Sequence, residues 1–271
     1  MEYEVIEEEG FKYIEAGAGE PLVLLHGLMG ELSNWGPALD HFKQNYRVIV
    51  PILPIYELPL LTLGVKSLSK YVHRFLKFKK LNQVVLIGNS LGGHVGLVFT
   101  VAHQEFVKAL VLTGSSGLYE NAFGGSFPRR ESYDYVREKV EFTFYDPATA
   151  TKELVDEVFK SINDRSRVIR ILALAKSAIR HNMAKELPKI TIPVFIANGD
   201  KDIQVPAVEN IESFKKYLGT KDLTTKIYPG LNHMYQHCKT CTQGESKELD
   251  EVFAPEVLDD IAKWILARYK K

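Results

Sequence analysis

The segment VVLIGNSLGGHVG, residues 84–96, constrains the fold of this chain more than any other stretch. An apolar strand pattern runs into Gly88-Asn89-Ser90-Leu91-Gly92, and a helical pattern follows. In this context a G-x-S-x-G sequence is typical of a tight strand-to-helix turn that lifts the serine hydroxyl above the edge of a sheet. The amides at the start of the helix then point toward the same space. The pattern therefore predicts that Ser90 is a nucleophile, and the alternative is a glycine-rich turn with an incidental serine.

Short apolar, β-branched runs alternate with helical patterns along the chain, and the runs are apolar on both faces. Strands of this kind are typical of a parallel sheet with helices on each side. We therefore expect an α/β fold with a mostly parallel central sheet. Residues 11–21 indicate an early strand and turn, part of an antiparallel hairpin that starts near Val5. The expected strands are 21–27, 46–53, 83–90, 107–114, 192–199 and 224–230, and the expected helices are 65–79, 91–103, 207–218 and 255–270.

One interval interrupts this alternation. About 70 residues without a convincing strand follow Gly114, which is too long for an ordinary loop. The interval contains helical patterns, and we interpret residues 119–188 as an inserted helical lid, with 1–118 and 189–271 as the core. Helices that simply cover the sheet are the alternative. The last helical pattern has a wide apolar face, made of Val168, Ile169, Ile171, Leu172, Leu174, Ala175 and Ile179.

The chain carries 34 Lys and Arg against 34 Asp and Glu, so it has no net charge. No surplus of positive charge would draw it to nucleic acid or to anionic lipid. Two cysteines are too few for disulfides to be the main support of a chain of 271 residues. The acidic N-terminus shows no secretory signal, and the apolar runs are too short to span a bilayer. We therefore expect a cytoplasmic protein, a monomer or a homodimer, that acts on small molecules.

A serine nucleophile needs a base and an acid that orients the base, together with donors for the developing oxyanion. The sequence HGLMG, residues 26–30, follows the strand pattern at 22–25. With the elbow, it makes the chain resemble the α/β-hydrolase superfamily over nearly its whole length. The resemblance implies that the amides of Leu28 and Leu91 form the oxyanion hole and that His26 is structural. Serine at position 90, rather than aspartate, speaks against the haloalkane dehalogenase and epoxide hydrolase branches.

The acid and the base are expected after the lid. The superfamily spacing Gly-x-x-Asp-x-x-x-Pro matches Gly199, Asp202 and Pro206, so the resemblance implies that Asp202 is the acid. Asp200 is interpreted as a turn residue, because a short polar side chain can satisfy local N–H groups. In the chain order serine, acid, histidine, the base follows the last strand, where TTKIYPGLNH presents His233.

Residues 230–241, GLNHMYQHCKTC, contain more histidine and cysteine than a triad needs. A zinc site would require a second ligand pair that this stretch lacks. A C-x-x-C pair indicates redox chemistry only near a thioredoxin-like unit. We therefore interpret His237, Cys238 and Cys241 as residues of a loop that covers the site, and we expect neither a metal nor a cofactor.

One branch of the superfamily cleaves carbon–carbon bonds. The sequence GNSLGG resembles the elbow of the meta-cleavage-product C–C hydrolases, which implies that Asn89 contributes to the substrate site. The spacing from His26 to Trp35 also resembles that branch and adds Trp35 to the site. Arg165 or Arg167 on the lid could hold a substrate carboxylate there. Against this branch, LMGEL replaces the Gly-Pro-Gly segment that is common after His-Gly.

Other features resemble esterases. Met234 stands where the C–C hydrolases often have an aromatic residue, and residues 230–265 look like the C-terminus of esterases and acyl-peptidase-like hydrolases. The Pro/Leu-rich segment 51–64 suggests an apolar acyl pocket, although simple packing under the lid explains it equally well. We therefore expect a serine hydrolase that cleaves carboxylic esters of small to medium apolar acyl groups through an acyl-enzyme. The alternatives are C–C hydrolysis of 2-hydroxy-6-oxo-dienoates and a non-catalytic binding protein on the same fold.

Overall fold

The computed structural model describes residues 3–28, 35–118, 165–241, 249 and 252–269. Its strands are β1 (Ile6–Glu8), β2 (Phe11–Ala16), β3 (Pro21–Leu25), β4 (Arg47–Pro51), β5 (Val84–Asn89), β6 (Val107–Thr113), β7 (Val194–Gly199) and β8 (Leu223–Tyr228). Its α-helices are α1 (Gly36–Phe42), α2 (Val65–Phe78), α3 (Leu91–Ala102), α4 (Arg165–Arg180), α5 (Ala207–Tyr217) and α6 (Pro255–Tyr269). Short 3₁₀ turns occur at Gln104–Phe106 and Leu187–Lys189.

The eight strands form one sheet in the order β1-β2-β4-β3-β5-β6-β7-β8. β2 is antiparallel to both β1 and β4, and the remaining neighbours are parallel. Five of the six residues of β5 are buried, as expected for a strand covered on both faces. The predicted α/β-hydrolase sheet and its antiparallel hairpin are therefore confirmed. The register places the carboxyl ends of β3, β5, β6 and β7 along one edge, where the candidate site lies.

Two apolar layers hold this edge in place, because successive strand residues point to opposite faces. Val23 and Leu25 of β3 pack in the layer that includes α2, α3 and α5. Leu22 and Leu24 pack in the layer that includes α1 and α6. Each of these four side chains is fully buried. Burial of one such side chain contributes about 1.5–3 kcal/mol relative to exposure, so the strand ends have a rigid support.

The helices predicted at 65–79, 91–103, 207–218 and 255–270 correspond to α2, α3, α5 and α6, with ends that differ by one residue at most. The sequence patterns do not predict α1. Its seven residues are too few to show a helical period, although they bury Ala38, Leu39 and Phe42. Pro37 lies in its first turn, where its missing N–H costs nothing.

Most of the predicted lid, residues 119–164, lies outside the described residues, so its boundaries stay a prediction. Its described part is mainly α4, which packs against α2. Ser177 of α4 accepts a hydrogen bond from the Val65 amide at 3.2 Å. The apolar face predicted for this helix is wrong at Ile179, which is half exposed. The buried face is centred on Leu174 and Ala178, which are four residues apart, and Ile179 lies about 100° around the helix from Ala178.

Candidate active site

The elbow between β5 and α3 has room only for glycine two residues before and two residues after Ser90. A Cβ at Gly88 would lie 2.6 Å from the carbonyl oxygen of Gly92, and a Cβ at Gly92 would collide with the Leu25 carbonyl. Ser90 has φ 52° and ψ −119°, a conformation that non-glycine residues rarely adopt. Strain of this kind is held by surrounding structure and is concentrated at functional sites.

Backbone hydrogen bonds to the neighbouring strand hold Ser90 in this conformation. Its amide donates to the Thr113 carbonyl at 3.0 Å, and its carbonyl accepts from the Ser116 amide at 3.3 Å. The His94 amide also donates to the Ser90 carbonyl, at 3.2 Å, and continues helix α3. Ser90 itself is only partly buried. The structure therefore places its side chain at the carboxyl edge of the sheet, next to the end of β6.

His233 and Asp202 form a direct hydrogen bond of 2.7 Å between Nδ1 and Oδ2. The Asp202 side chain is 0% exposed and the His233 side chain 8% exposed. The other carboxylate oxygen of Asp202 accepts from the amides of Gln204 and Val205, each at 2.9 Å. An ionised carboxylate can only accept, so Nδ1 of His233 carries the proton and the ring orientation is fixed.

Gly114 brings this pair close to the elbow. A Cβ at Gly114 would lie 3.1 Å from Oδ2 of Asp202 and 3.2 Å from Nδ1 of His233. The preceding residue, Thr113, accepts the hydrogen bond from the Ser90 amide. The structure thus gathers the three predicted triad residues around the end of β6. Sequence reasoning assigns no role to Gly114, and its only signal is a glycine directly after a buried strand.

Asp200 lies in the turn after β7, as the sequence predicts. Its carboxylate accepts from the Gly230 amide at 2.7 Å and lies 3.7 Å from the ammonium group of Lys201. These contacts of Asp200 hold the turn. The carboxylate that orients His233 is that of Asp202.

His26 is a structural residue, as the resemblance implied. Its Nδ1 lies 2.9 Å from the Gly27 carbonyl, and its Nε2 accepts from the Leu53 amide at 2.8 Å. Burial lowers the pKa of this ring, which favours the neutral form that these two bonds require. Both nitrogens are engaged, so His26 has none left for a proton transfer.

The two amides predicted to form the oxyanion hole lie on either side of the elbow. Leu91 is the first residue of α3, and Leu28 follows Gly27. A Cβ at Gly27 would lie 3.5 Å from Cβ of Ser90, so the two segments are in contact. Within the described part of the chain, neither the Leu28 amide nor the Leu91 amide has a hydrogen-bond partner. Amides of this kind can receive a developing negative charge, and this assignment stays a prediction.

The turn that carries His233 is held by a buried polar network. Oδ1 of Asn232 accepts from the amides of Met234 and Gln236 at 2.9 and 3.1 Å. The Asn232 amide group donates to Oε1 of Gln236 at 3.1 Å. The hydroxyl of Tyr235, which is fully buried, donates to the Ala197 carbonyl at 2.6 Å. Sequence reasoning predicts no role for these three side chains, because their partners are found only in the folded turn.

Cys238 and Cys241 form a disulfide, which the loop interpretation did not predict. The Cys238 amide also donates to the Gly230 carbonyl at 3.1 Å, so the bond closes the loop just beyond His233. His237 is more exposed and lies 3.1 Å from Glu256 of α6. No group of three or more His, Cys, Asp or Glu side chains in the described ranges is arranged to hold a metal ion. The expected absence of metal and cofactor stays a prediction.

Asn89 and Trp35, the predicted substrate contacts, lie beside the site but have structural partners. The Asn89 amide donates to the Thr113 carbonyl at 3.1 Å. Trp35 is 2% exposed and stacks on Phe253 with 6.0 Å between ring centroids. Both residues line a cavity of about 10 Å³, which is room for one water molecule. The other lining residues are His26, Gly27, Met234 and Phe253.

The predicted arginine contacts are only partly visible. The Arg165 side chain lies outside the described residues. The Arg167 guanidinium lies 5.1 Å from the centre of the Tyr56 ring, a cation–π distance. Arg170, which sequence reasoning did not single out, donates to the Leu58 carbonyl. Arg167 and Arg170 therefore hold α4 against the segment after β4.

No helix in the described ranges is both long enough and apolar enough to cross a bilayer. The cytoplasmic location and the oligomeric state stay predictions.

Comparisons with known proteins identify the family of this chain. A family model described as the alpha/beta hydrolase fold matches residues 20–135. The crystal structure of MGS-MChE2, an alpha/beta hydrolase enzyme from a sediment metagenome of the Mar Chica lagoon in Morocco, is 36% identical, with a TM-score of 0.73 over 98% of this chain and 99% of that one. The 2-hydroxy-6-oxo-6-(2'-aminophenyl)hexa-2,4-dienoic acid hydrolase of Metapseudomonas resinovorans is 27% identical over 78% of this chain and 76% of its own. Lipase 1 of Psychrobacter immobilis is 25% identical over 76% of this chain and 70% of its own. These relatives share a fold, and their activities differ.

Proposed function

Because the chain belongs to the α/β-hydrolase family, a family of hydrolases, we propose that it cleaves carboxylic esters of small to medium apolar acyl groups. The observation that carries the proposal is the buried hydrogen bond between His233 and Asp202 beside the strained Ser90 elbow. A nucleophile, a base and an orienting acid are the parts that acyl transfer requires.

In the proposed mechanism, Nε2 of His233 takes the proton of the Ser90 hydroxyl as its oxygen attacks the ester carbonyl. Asp202 holds the ring through Nδ1 and stabilises the imidazolium that forms. The Leu28 and Leu91 amides receive the oxyanion of the tetrahedral intermediate. His233 then protonates the leaving alcohol, and an acyl-enzyme on Ser90 remains. Water, deprotonated by the same histidine, releases the acid and restores the serine.

Two observations support esters over dienoates as substrates. First, Arg167, one of the two arginines that could hold a dienoate carboxylate, lies against the Tyr56 ring, and Arg170 donates to the Leu58 carbonyl. Second, the Asn89 amide donates to the sheet edge. An apolar ester needs neither group, so the arrangement suits it better.

C–C hydrolysis of a 2-hydroxy-6-oxo-dienoate is the second candidate. The observation that favours it is the 27% identity to a dienoic acid hydrolase over most of both chains. In that reaction the substrate is first ketonised, and a cation on α4 would hold its carboxylate, with Arg165 or Arg167 as the residues to supply it.

A chain-length series of p-nitrophenyl esters, compared with a 2-hydroxy-6-oxo-dienoate, tests the proposal. We expect clear turnover of the short esters and weak or no cleavage of the dienoate. Ser90→Ala protein, purified in the same way, controls for contaminating esterases. Arg165→Ala and Arg167→Ala should leave ester turnover nearly unchanged. A much higher kcat/KM for the dienoate, selectively lost in either arginine variant, would assign the protein to C–C hydrolysis.

A further inference from the structure

A groove lies between α2 and α4. We call it the α2–α4 groove and define it by residues 61–67, 173, 176, 177, 180 and 181. Its volume is about 510 Å³, enough for a small organic ligand. It shares no lining residue with the small cavity beside Asn89. The groove is therefore distinct from that small cavity, although residues 61–64 belong to the Pro/Leu-rich segment that the sequence suggests as an apolar acyl pocket.

The described lining of the groove contains three cations and no carboxylate. Lys66 comes from the first turn of α2, and Lys176 and Arg180 come from one face of α4. His181 also lines the groove; burial is the main cause that lowers its pKa, the charge of Glu186 raises it, and the charge of Lys66 has a smaller lowering effect. A carboxylate oxygen of Glu186 lies 3.9 Å from Nε2 of His181, and Glu186 is not among the lining residues. The groove thus presents a positive surface drawn from two elements.

Apolar side chains share the groove with these cations. Leu63 and Val65 are buried, and Ala173 of α4 is partly buried. Leu61, which also lines the groove, is fully exposed. A ligand with one anionic end and one apolar end would satisfy both kinds of lining.

A close contact between α4 and the start of α2 forms one side of the groove. Ser177 accepts from the Val65 amide, and a Cβ at Gly64 would lie 2.5 Å from the Ser177 hydroxyl oxygen. Glycine at position 64 therefore lets α4 approach the start of α2. Arg170 adds a hydrogen bond to the Leu58 carbonyl on the same side. These contacts fix the spacing of the two helices, so the lining is preorganised for a ligand.

We propose that the α2–α4 groove is a second binding site, for a small amphipathic carboxylate. The carboxylate would lie among Lys66, Lys176 and Arg180, and the apolar chain would run along Leu61, Leu63 and Ala173. The inference rests on the lining and not on the catalytic mechanism. The acid released from an apolar ester would nevertheless belong to this ligand class, so the site would bind a product of the proposed reaction.

Calorimetric titration with sodium octanoate tests the site. We expect one octanoate per chain, bound more tightly than 1-octanol or inorganic phosphate, with an affinity that falls as salt is added. The double variant Lys66→Ala/Arg180→Ala should weaken octanoate binding by about tenfold or more. Lys185→Ala, an exposed lysine outside the groove, is the matched control and should change it by less than twofold. Ala173→Trp should block binding by filling the groove without changing its charge.

Several results would overturn the proposal. Octanoate binding that is unaffected by both groove variants would place it elsewhere. If phosphate binds as tightly as octanoate, the apolar lining contributes nothing to the affinity and the proposed ligand class is wrong. Binding to anionic vesicles without binding to free octanoate would make the groove a membrane-docking surface.

Ester turnover, measured on the same variants, should be retained. Groove-dependent octanoate binding in a protein that hydrolyses no ester would leave this site standing while the proposed function fails.

Discussion

The elbow of Ser90 and the loop of His233 hold their predicted catalytic groups in different ways. At the elbow, backbone sterics decide the conformation, because Gly88 and Gly92 pack against carbonyl groups that leave no room for a side chain. At the loop, side chains decide it, because Asn232 bonds two backbone amides and the Gln236 side chain. Substitution can remove these polar supports one at a time. The conformation of the elbow can therefore be predicted from the spacing of its glycines. The loop depends on several side chains, so single substitutions should weaken its support for His233 step by step.

The largest effect should come from the elbow itself. Ser90→Ala removes the proposed nucleophile without changing the backbone, so kcat for a p-nitrophenyl ester should fall by roughly 10⁶-fold. The melting temperature should stay close to that of the parent protein. Ser69→Ala, at a buried serine of α2, is the control and should retain turnover within about tenfold. Ester turnover that survives Ser90→Ala within tenfold would remove Ser90 from the role.

The acid gives the next largest effect and tests the loop side of the comparison. Asp202→Asn replaces the acceptor for Nδ1 of His233 with a group that can donate, so the ring loses its tautomer, and kcat should fall by about 10⁴-fold. Asp200→Asn keeps an oxygen that can accept from Gly230 and should cost less than tenfold. Steady-state kinetics on both variants decide between them, and the reverse order would reassign the acid to Asp200.

The same contrast explains how much the sequence could predict. The strand–elbow–helix unit depends on neighbours within a few residues, so G-x-S-x-G and the apolar runs predict β5, α3 and the parallel sheet. Asp202 is predicted by the spacing of Gly199, Asp202 and Pro206, which lie within one turn of the chain. Gly114, the Asn232 network and the bond between Cys238 and Cys241 depend on segments that meet only after folding. At residues 230–241 the chain order serine, acid, histidine already favours His233 over His237, and in the structure His233 bonds to Asp202 whereas His237 lies beside Glu256.

A third experiment perturbs the loop without touching the triad. Asn232→Ala leaves the buried amides of Met234 and Gln236 without their acceptor, so the turn should relax and His233 lose its orientation. We expect kcat to fall by about 10- to 100-fold with little change in KM, because orientation matters most in the transition state. The readout is the split between kcat and KM at several pH values.

Asn182 supplies the matched control for Asn232. It is exposed, and it too accepts a backbone amide through its side-chain oxygen, from Ala184 at 2.9 Å. Asn182→Ala should therefore leave both kinetic constants within about twofold. Equal losses in the two variants would mean that a general loss of stability, and not the position of His233, explains the effect.

On the elbow side, a buried histidine pair should make stability depend on pH. His94, one turn after Ser90, is fully buried, and its Nε2 lies 3.3 Å from Nδ1 of His181. Burial, and then the charge of His181, lower the pKa of His94 to about 3. Between that value and the ordinary pKa of about 6.5, the unfolded chain binds a proton that the folded chain does not. Stability is therefore lost as pH falls, by about 2 kcal/mol from pH 7 to pH 5 for this residue.

Urea denaturation at pH 7 and pH 5 measures this dependence. His94→Phe should reduce the difference in unfolding free energy between the two pH values, because phenylalanine cannot bind the proton. Thr100→Val, at another buried residue of α3 that binds no proton between pH 5 and pH 7, should leave the difference as it is in the parent protein. An unchanged difference in His94→Phe would show that other groups cause the acid sensitivity.

The smallest effect on turnover is expected at the disulfide. Its removal tests whether the bond or the buried polar network supports His233. The bond between Cys238 and Cys241 closes a loop of only a few residues, so its removal should cost no more than about 2 kcal/mol of stability. The Asn232 network and the Tyr235 hydroxyl support the turn that carries His233 and should hold it without this bond. Cys238→Ser/Cys241→Ser should therefore retain kcat within about threefold. Mild reduction of the parent protein with dithiothreitol should give the same result. A tenfold loss of turnover in either case would make the bond, and not the buried polar network, the main support of His233.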